Sequence, residues 1–164
     1  MKNFTEKQRF TQWWIWMIIV TISSIALAGF VQQIILKKPF GDKPMSNAEV
    51  VVFVAFMVVF FYLFTIMKLI TVIDRSGIKM QFVPFVKKQV KWEDVKSLSV
   101  VNYGFVGGWG IRFGSSYGTI YNVKGKMGLA IEFTNGKKLL VGTQKPDEIQ
   151  NVIDRYFNNK SEAI

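Results

Sequence analysis

Two long runs without a charge open this chain, and short alternating segments follow them. Trp13 to Leu36 reads WWIWMIIVTISSIALAGFVQQIIL, and Val50 to Met67 reads VVVFVAFMVVFFYLFTIM, apolar on every face. A helix needs about 20 apolar residues to cross a hydrocarbon core roughly 30 Å thick. The pattern therefore predicts transmembrane helices over 13–36 and 48–70, the second lengthened past Lys68 by Leu69 and Ile70. Trp13, Trp14 and Trp16 sit at one end of the first run, where indoles favour the headgroup region. The segment 37–47 holds Pro39, Gly41 and Pro44 and predicts a turn-rich connecting loop.

From Lys68 onward the period drops to two, the mark of strands. The pieces are KLITVID, IKMQFVP, VKKQVKW, SLSVVNY, GIRFG, TIYNVKG, GLAIEFT and KKLLVGT, counted as about seven short strands. The last two are joined by Asn135-Gly136, which suits a two-residue type I′ hairpin turn. In KPDEIQNVIDRYFNN, Ile149, Val152, Ile153 and Phe157 share one helical face. Pro146 fits the first helical turn, and Asp147 and Glu148 complement the positive end of the helix dipole. The expected class is an α+β membrane protein: a two-helix transmembrane hairpin, then a small antiparallel β-barrel or sandwich capped by a C-terminal α-helix. Its parts are a basic N-terminal segment (1–12), the two spans and their loop, a β-domain over 71–160 and a tail over 161–164.

Composition removes several chemistries. Among 164 residues there is no cysteine and no histidine, so thiolate and imidazole metal sites, Cys nucleophiles and a Ser-His-Asp arrangement are excluded. The formal charge of +10 directs attention to an anionic partner, a membrane surface or nucleic acid. Lys2, Lys7 and Arg9 precede the first span, Lys68, Arg75, Lys79, Lys87 and Lys88 follow the second, and the loop holds Lys37, Lys38 and Lys43. The more numerous basic flanks favour cytoplasmic termini. Ala26-Leu27-Ala28 before Gly29 imitates a signal-peptidase site, but the apolar run continues to Leu36, so a retained helix is expected.

The run NYGFVGGWGIRFGSSYGTIYNVKGKMG is dense in glycine. A phosphate loop leads from a strand into a helix N-terminus, usually with Lys-Ser/Thr. Here Gly108-Trp109-Gly110 precedes the strand-like IRF, and GKMG at 125–128 also leads into a strand, so these glycines read as bends and close approaches. The carboxylate pairs Glu93–Asp94 and Asp147–Glu148 fit a turn and a helix start, and Glu132 fits an exposed cross-strand pair. No nucleophile or metal set converges on them, so no enzyme, no cofactor and no metal are expected. Trp109, Phe113, Tyr117 and Tyr121 could imitate a single-strand nucleic-acid platform; their spacing around glycines fits core and corner positions instead, and no nucleic acid is expected.

The stretches GGWGIRFG and YNVKGKMGLAIEFTNGKKLLVGTQKPDEIQNVI resemble the bacterial pleckstrin-homology-like (PH-like) domains, specifically membrane proteins with two helices before such a domain. The marker residues are Gly108, Trp109, Gly110, Asn122, Asn135, Gly136 and Pro146, and the resemblance covers roughly 68–159. It implies two nearly orthogonal antiparallel sheets capped by the C-terminal helix, with ligands met by loops near Arg75–Gly77 and Glu93–Lys96. The first turn, DRSG, lacks the Lys-x-n-Arg cluster of phosphoinositide binders.

Residues 71–164 hold fourteen Lys/Arg against eight Asp/Glu, a net +6. Arg75, Lys79, Lys87, Lys88, Lys91, Lys96 and Arg112 are the candidates for contact with anionic lipid or a partner, although the register around Pro84-Phe85 leaves open which of them share a face. The expectation is a non-catalytic, membrane-tethered interaction module in a bacterial cytoplasmic membrane, binding a protein or itself with anionic phospholipid alongside. The alternative is a small accessory subunit of a membrane complex acting through its helices.

Overall fold

The computed structural model describes residues 3–104 and 107–158, with the side chain of Asn158 left aside. Lys2, the tail and the end of the expected β-domain at 159–160 lie outside the described residues. The chain forms two compact units, one of residues 11–66 and one that joins residues 1–10 to 67–164.

The first unit is a helical hairpin. α1 (Trp13–Phe30) continues through a π-helical turn at Val31–Ile35, and α2 covers Asn47–Ile66. Both are long and apolar enough to cross a membrane, with little of either buried within the protein. They pack through Ile19, Ala26 and Gly29 against Val50 and Met57, with Trp16 edge-on to Phe61 at 5.9 Å. The connecting loop is fastened to the helix ends: Gln32 Nε2 donates to Pro39 O at 2.8 Å, and Gln33 Nε2 to Asn47 Oδ1 at 3.0 Å. Ser46 and Glu49 form a reciprocal capping box at the start of α2, each backbone N–H held by the other side chain.

The second unit is built on two sheets. β1 (Phe4–Arg9), β2 (Lys68–Asp74), β3 (Gly77–Val83) and β4 (Val86–Val90) form one sheet in that order, all antiparallel. β5 (Val95–Asn102), β6 (Gly110–Ser115), β7 (Gly118–Asn122), β8 (Met127–Phe133) and β9 (Lys138–Thr143) form the other, in the order β5-β8-β9-β7-β6. Alternation dictates the inner face of the first sheet. Leu69 and Ile73 of β2 and Ile78, Met80 and Phe82 of β3 are buried, while Ile70, Val72, Lys79 and Gln81 point the other way. Phe82 meets Tyr121 of the second sheet at 6.3 Å. α3 (Pro146–Ile153) packs Ile149, Val152 and Ile153 inward against β1, β5 and β8.

Four expectations are corrected. The helix expected to be the second span stops at Ile66, because Leu69 is fully buried in the β-unit and Ile70 lies on β2. The basic N-terminal segment contains a strand, β1, and the described residues of the domain form nine strands rather than about seven. The two sheets do not close into a barrel among the described residues, and the second is not purely antiparallel: β7 runs parallel to β9, Thr119 opposite Leu139. That approach needs Gly118, which sits at φ +71° where an added Cβ would lie 2.2 Å from Lys138 O. Finally, the β8–β9 turn has three residues. Phe133 and Lys137 are bonded across it and Gly136 takes φ +79°, while Asn135 has no positive φ, so a type I′ turn is excluded.

Candidate functional site

The strands of the first sheet give its outer face a directional charge pattern. At one end, Arg9 lies opposite Lys68, and Lys68 opposite Val83. The next outward row is Lys7, Ile70, Gln81 and Lys87, and the third is Thr5, Val72, Lys79 and Gln89. Asp74, the one carboxylate on this face among the described residues, ends β2 at the opposite end. Six residue steps along β2 lead from Lys68 to Asp74, about 20 Å at 3.3 Å per residue. A groove of about 300 Å³ crosses the face over Ile70 and Val72, flanked by Lys79 and Lys87.

The two ends differ in how their charges are met. At the Asp74 end, Lys79 Nζ lies 2.8 Å from Asp74, Lys91 3.0 Å from Glu93, and Lys96 2.7 Å from Glu132. Asp74 also accepts from the Ser76 hydroxyl and backbone N–H, and the Lys79 ammonium followed by the Ser76 hydroxyl depresses its pKa to about 2. At the other end, Lys7, Arg9, Lys68 and Lys87 have no carboxylate within ion-pair distance among the described residues. The turn between β3 and β4 lies beside them and carries Phe85, which is 57% exposed.

The seven candidate basic residues therefore do not form one surface. Lys79 and Lys87 share the outer face of the first sheet. Lys88, on the opposite side of β4, reaches over the Tyr121 ring at 5.2 Å. Arg75 lies in the β2–β3 turn and Lys91 follows β4. Lys96 and Arg112 belong to the second sheet, on β5 and β6. The loops implied as ligand-binding do meet: Trp92 Nε1 donates to Asp74 O at 3.0 Å, bringing Arg75–Gly77 beside Glu93–Lys96. The lysine of these loops, Lys96, however, already faces a carboxylate, that of Glu132. Sequence reasoning passed over Lys7, Arg9 and Lys68 as members of a shared face, since only the pairing of β1 with β2 brings them together.

The glycine-rich segment is a built corner. Asn122, 1% exposed, accepts from Gly110 N at 3.1 Å and donates from Nδ2 to Gly108 O at 3.3 Å and to the Tyr103 hydroxyl at 3.3 Å. One amide thus satisfies both flanks of Trp109, and Gly110 accepts the required φ of +113°. Burial raises the pKa of Tyr103, with the Asn122 hydrogen bond opposing. Phe105 and Val106, also in this run, lie outside the described residues. Among the described residues no group of three His, Cys, Asp or Glu could hold a metal ion.

Fold and site together define an α+β chain with two helices able to cross a membrane and a two-sheet domain with one basic end. No family model, curated protein or solved structure matches the chain.

Proposed function

We propose that this protein is a non-catalytic module of PH-like type, tethered to a bacterial cytoplasmic membrane by a two-span hairpin with its β-domain on the cytoplasmic side. It binds a protein partner or a second copy of itself, with anionic phospholipid engaged at the membrane surface. The observation that carries this reading is the stitching of β1 to the rest of the domain. Gln8 Nε2 donates to Gly142 O at 2.7 Å, Thr143 Oγ1 to Glu6 at 2.7 Å and Gln144 N to Glu6 at 2.9 Å. Residues on both sides of the hairpin belong to one folded unit, which requires an even number of crossings.

The basic flanks support the cytoplasmic side, and a basic residue near anionic lipid gains about 1 kcal/mol. The two sheets and the terminal helix support the PH-like reading, from which the parallel β7–β9 pair departs.

The test is affinity purification from membranes of the whole chain and of a version whose residues 11–66 are replaced by an unrelated two-span hairpin, leaving β1 and β2 intact. A stoichiometric partner, or a second copy, retained after the swap supports recognition by the β-domain. A partner lost with the native helices assigns the protein instead as an accessory subunit acting through its spans.

A further inference from the structure

We propose that the Pro84-Phe85 turn between β3 and β4 inserts into the membrane interface, Phe85 among the upper acyl chains and Lys7, Arg9, Lys68 and Lys87 on the phosphates of anionic phospholipid. This rests on the tethered reading above and names the surface that meets the lipid.

The strand register places the turn. β3 ends at Val83, opposite Lys68, which is itself opposite Arg9, so the turn leaves the sheet beside the two basic residues of the β-unit that stand nearest the helices in the chain. Its backbone is closed by Phe85 N donating to Phe82 O at 2.8 Å, which projects the ring from the tip rather than into the core. Lys87 lies in the next outward row, across the sheet from Lys7.

Chain connectivity limits how far this end can stray from a bilayer. α2 has twenty residues, a rise of about 30 Å, matching the hydrocarbon core. Lys68 follows its last residue by two positions, and Arg9 precedes Trp13 by four. At 3.3–3.6 Å per residue these tethers span at most about 7 Å and 14 Å. Such lengths keep Lys68 and Arg9 within roughly one to two Debye lengths of the headgroups, and Lys7 and Lys87 occupy the next row of the same face.

Chemistry then selects the occupant. An exposed aromatic flanked by uncompensated cations suits an interface with acyl chains below and anionic headgroups above. The turn at the far end of the same strands is polar, Arg75-Ser76, beside the Lys79–Asp74 pair. An anionic protein would find the cations equally attractive but would leave the exposed Phe85 ring beside them without an apolar counterpart.

The chain has no cysteine, so a single introduced thiol can carry a spin label. Phe85→Cys and Ser76→Cys are compared in full-length protein in nanodiscs of phosphatidylcholine, with and without phosphatidylglycerol. At position 85, collision with an aqueous nickel reagent is expected to fall roughly five- to tenfold below position 76 when phosphatidylglycerol is present. Changing Lys7, Arg9, Lys68 and Lys87 together to Gln removes the dependence on phosphatidylglycerol.

Hydrogen exchange on the unsubstituted chain reads the same contact without a variant, as slower amides over 85–87 in the anionic discs. Equal nickel access at 85 and 76 in both lipids overturns the proposal, as does insertion that ignores phosphatidylglycerol and the charge substitutions. If the chain resists alkaline carbonate extraction while position 85 is aqueous, the insertion fails and the tethered module stands. If carbonate releases the chain, both fail.

Discussion

Thr143 Oγ1 donates a 2.7 Å hydrogen bond to Glu6 Oε2, joining the first strand to the last across 137 residues, with both side chains buried. Gln144 N donates to the other carboxylate oxygen at 2.9 Å. Thr143→Val keeps the shape and removes one donor from a buried carboxylate, which costs about 1.5–3 kcal/mol. Chemical unfolding of the full chain in detergent micelles checks this. A loss within the range of ordinary surface substitutions, about 0.5 kcal/mol, would show that the contact does not hold β1 in place.

Asn122 predicts a second loss. Asn122→Leu leaves Gly110 N–H buried without its acceptor and removes the amide donor from Gly108 O and from the Tyr103 hydroxyl, which still donates to Gly125 O. An unsatisfied buried donor costs about 1–3 kcal/mol. Lower unfolding stability should come with a changed environment at Trp109, read as altered near-ultraviolet ellipticity. Retention of both would remove Asn122 as the organiser of the glycine corner.

Gly118→Ala should damage the parallel β7–β9 pair. The added methyl meets the Lys138 carbonyl, a backbone atom that cannot swing away, and the φ of +71° disfavours any side chain. The expected loss exceeds about 1 kcal/mol. Gly136→Ala serves as the comparison, because φ is similar and nothing lies within 4 Å of the added carbon. The smaller loss belongs to Gly136.

Asp74 gives the pH dependence. Its folded pKa is about 2 against an ordinary 3.8, held down by Lys79 and then Ser76. A depressed carboxylate contributes stability that is fully present above the unfolded pKa and fades as pH falls from about 4 to 2. Asp74 is partly exposed, so solvent screening reduces the contribution to on the order of 1 kcal/mol. Asp74→Asn should therefore melt lower than the unsubstituted chain at pH 7 and converge with it near pH 2. A difference that persists undiminished at pH 2 would contradict the ion-pair origin.

Much of the architecture is legible in the residues, and what is not has a common cause. The two long apolar helices follow from two charge-free runs, and α3 from the spacing of Ile149, Val152 and Ile153. β1 is invisible because its inward positions include Glu6 and Gln8, polar residues whose burial is satisfied only by Gly142, Thr143 and Gln144. The reading of Leu69 and Ile70 as membrane-embedded fails for the related reason that apolar character alone cannot distinguish lipid from a β-sheet, whose core takes Leu69 and whose outer face carries Ile70. The basic end requires register as well. Lys7 and Lys87 are eighty positions apart in sequence, and Ile70 and Gln81 connect them across the sheet. Asn122 matched the resemblance, but its role depends on Gly108 and Gly110 folding back onto it.

The central claim is that the segment before the first span and the domain after the second form one folded unit on one side of a membrane. Thr5 and Val72 are direct partners on β1 and β2. Opposed residues in an antiparallel pair have Cα separations of roughly 4.5–5.5 Å, within the range a disulfide accepts. In the cysteine-free chain, Thr5→Cys with Val72→Cys, oxidised in intact membranes, should form an intramolecular disulfide that keeps the two ends joined after proteolysis of the connecting loop. Two free thiols after oxidation, with the thiol at position 5 accessible from the same side as the loop, would contradict it.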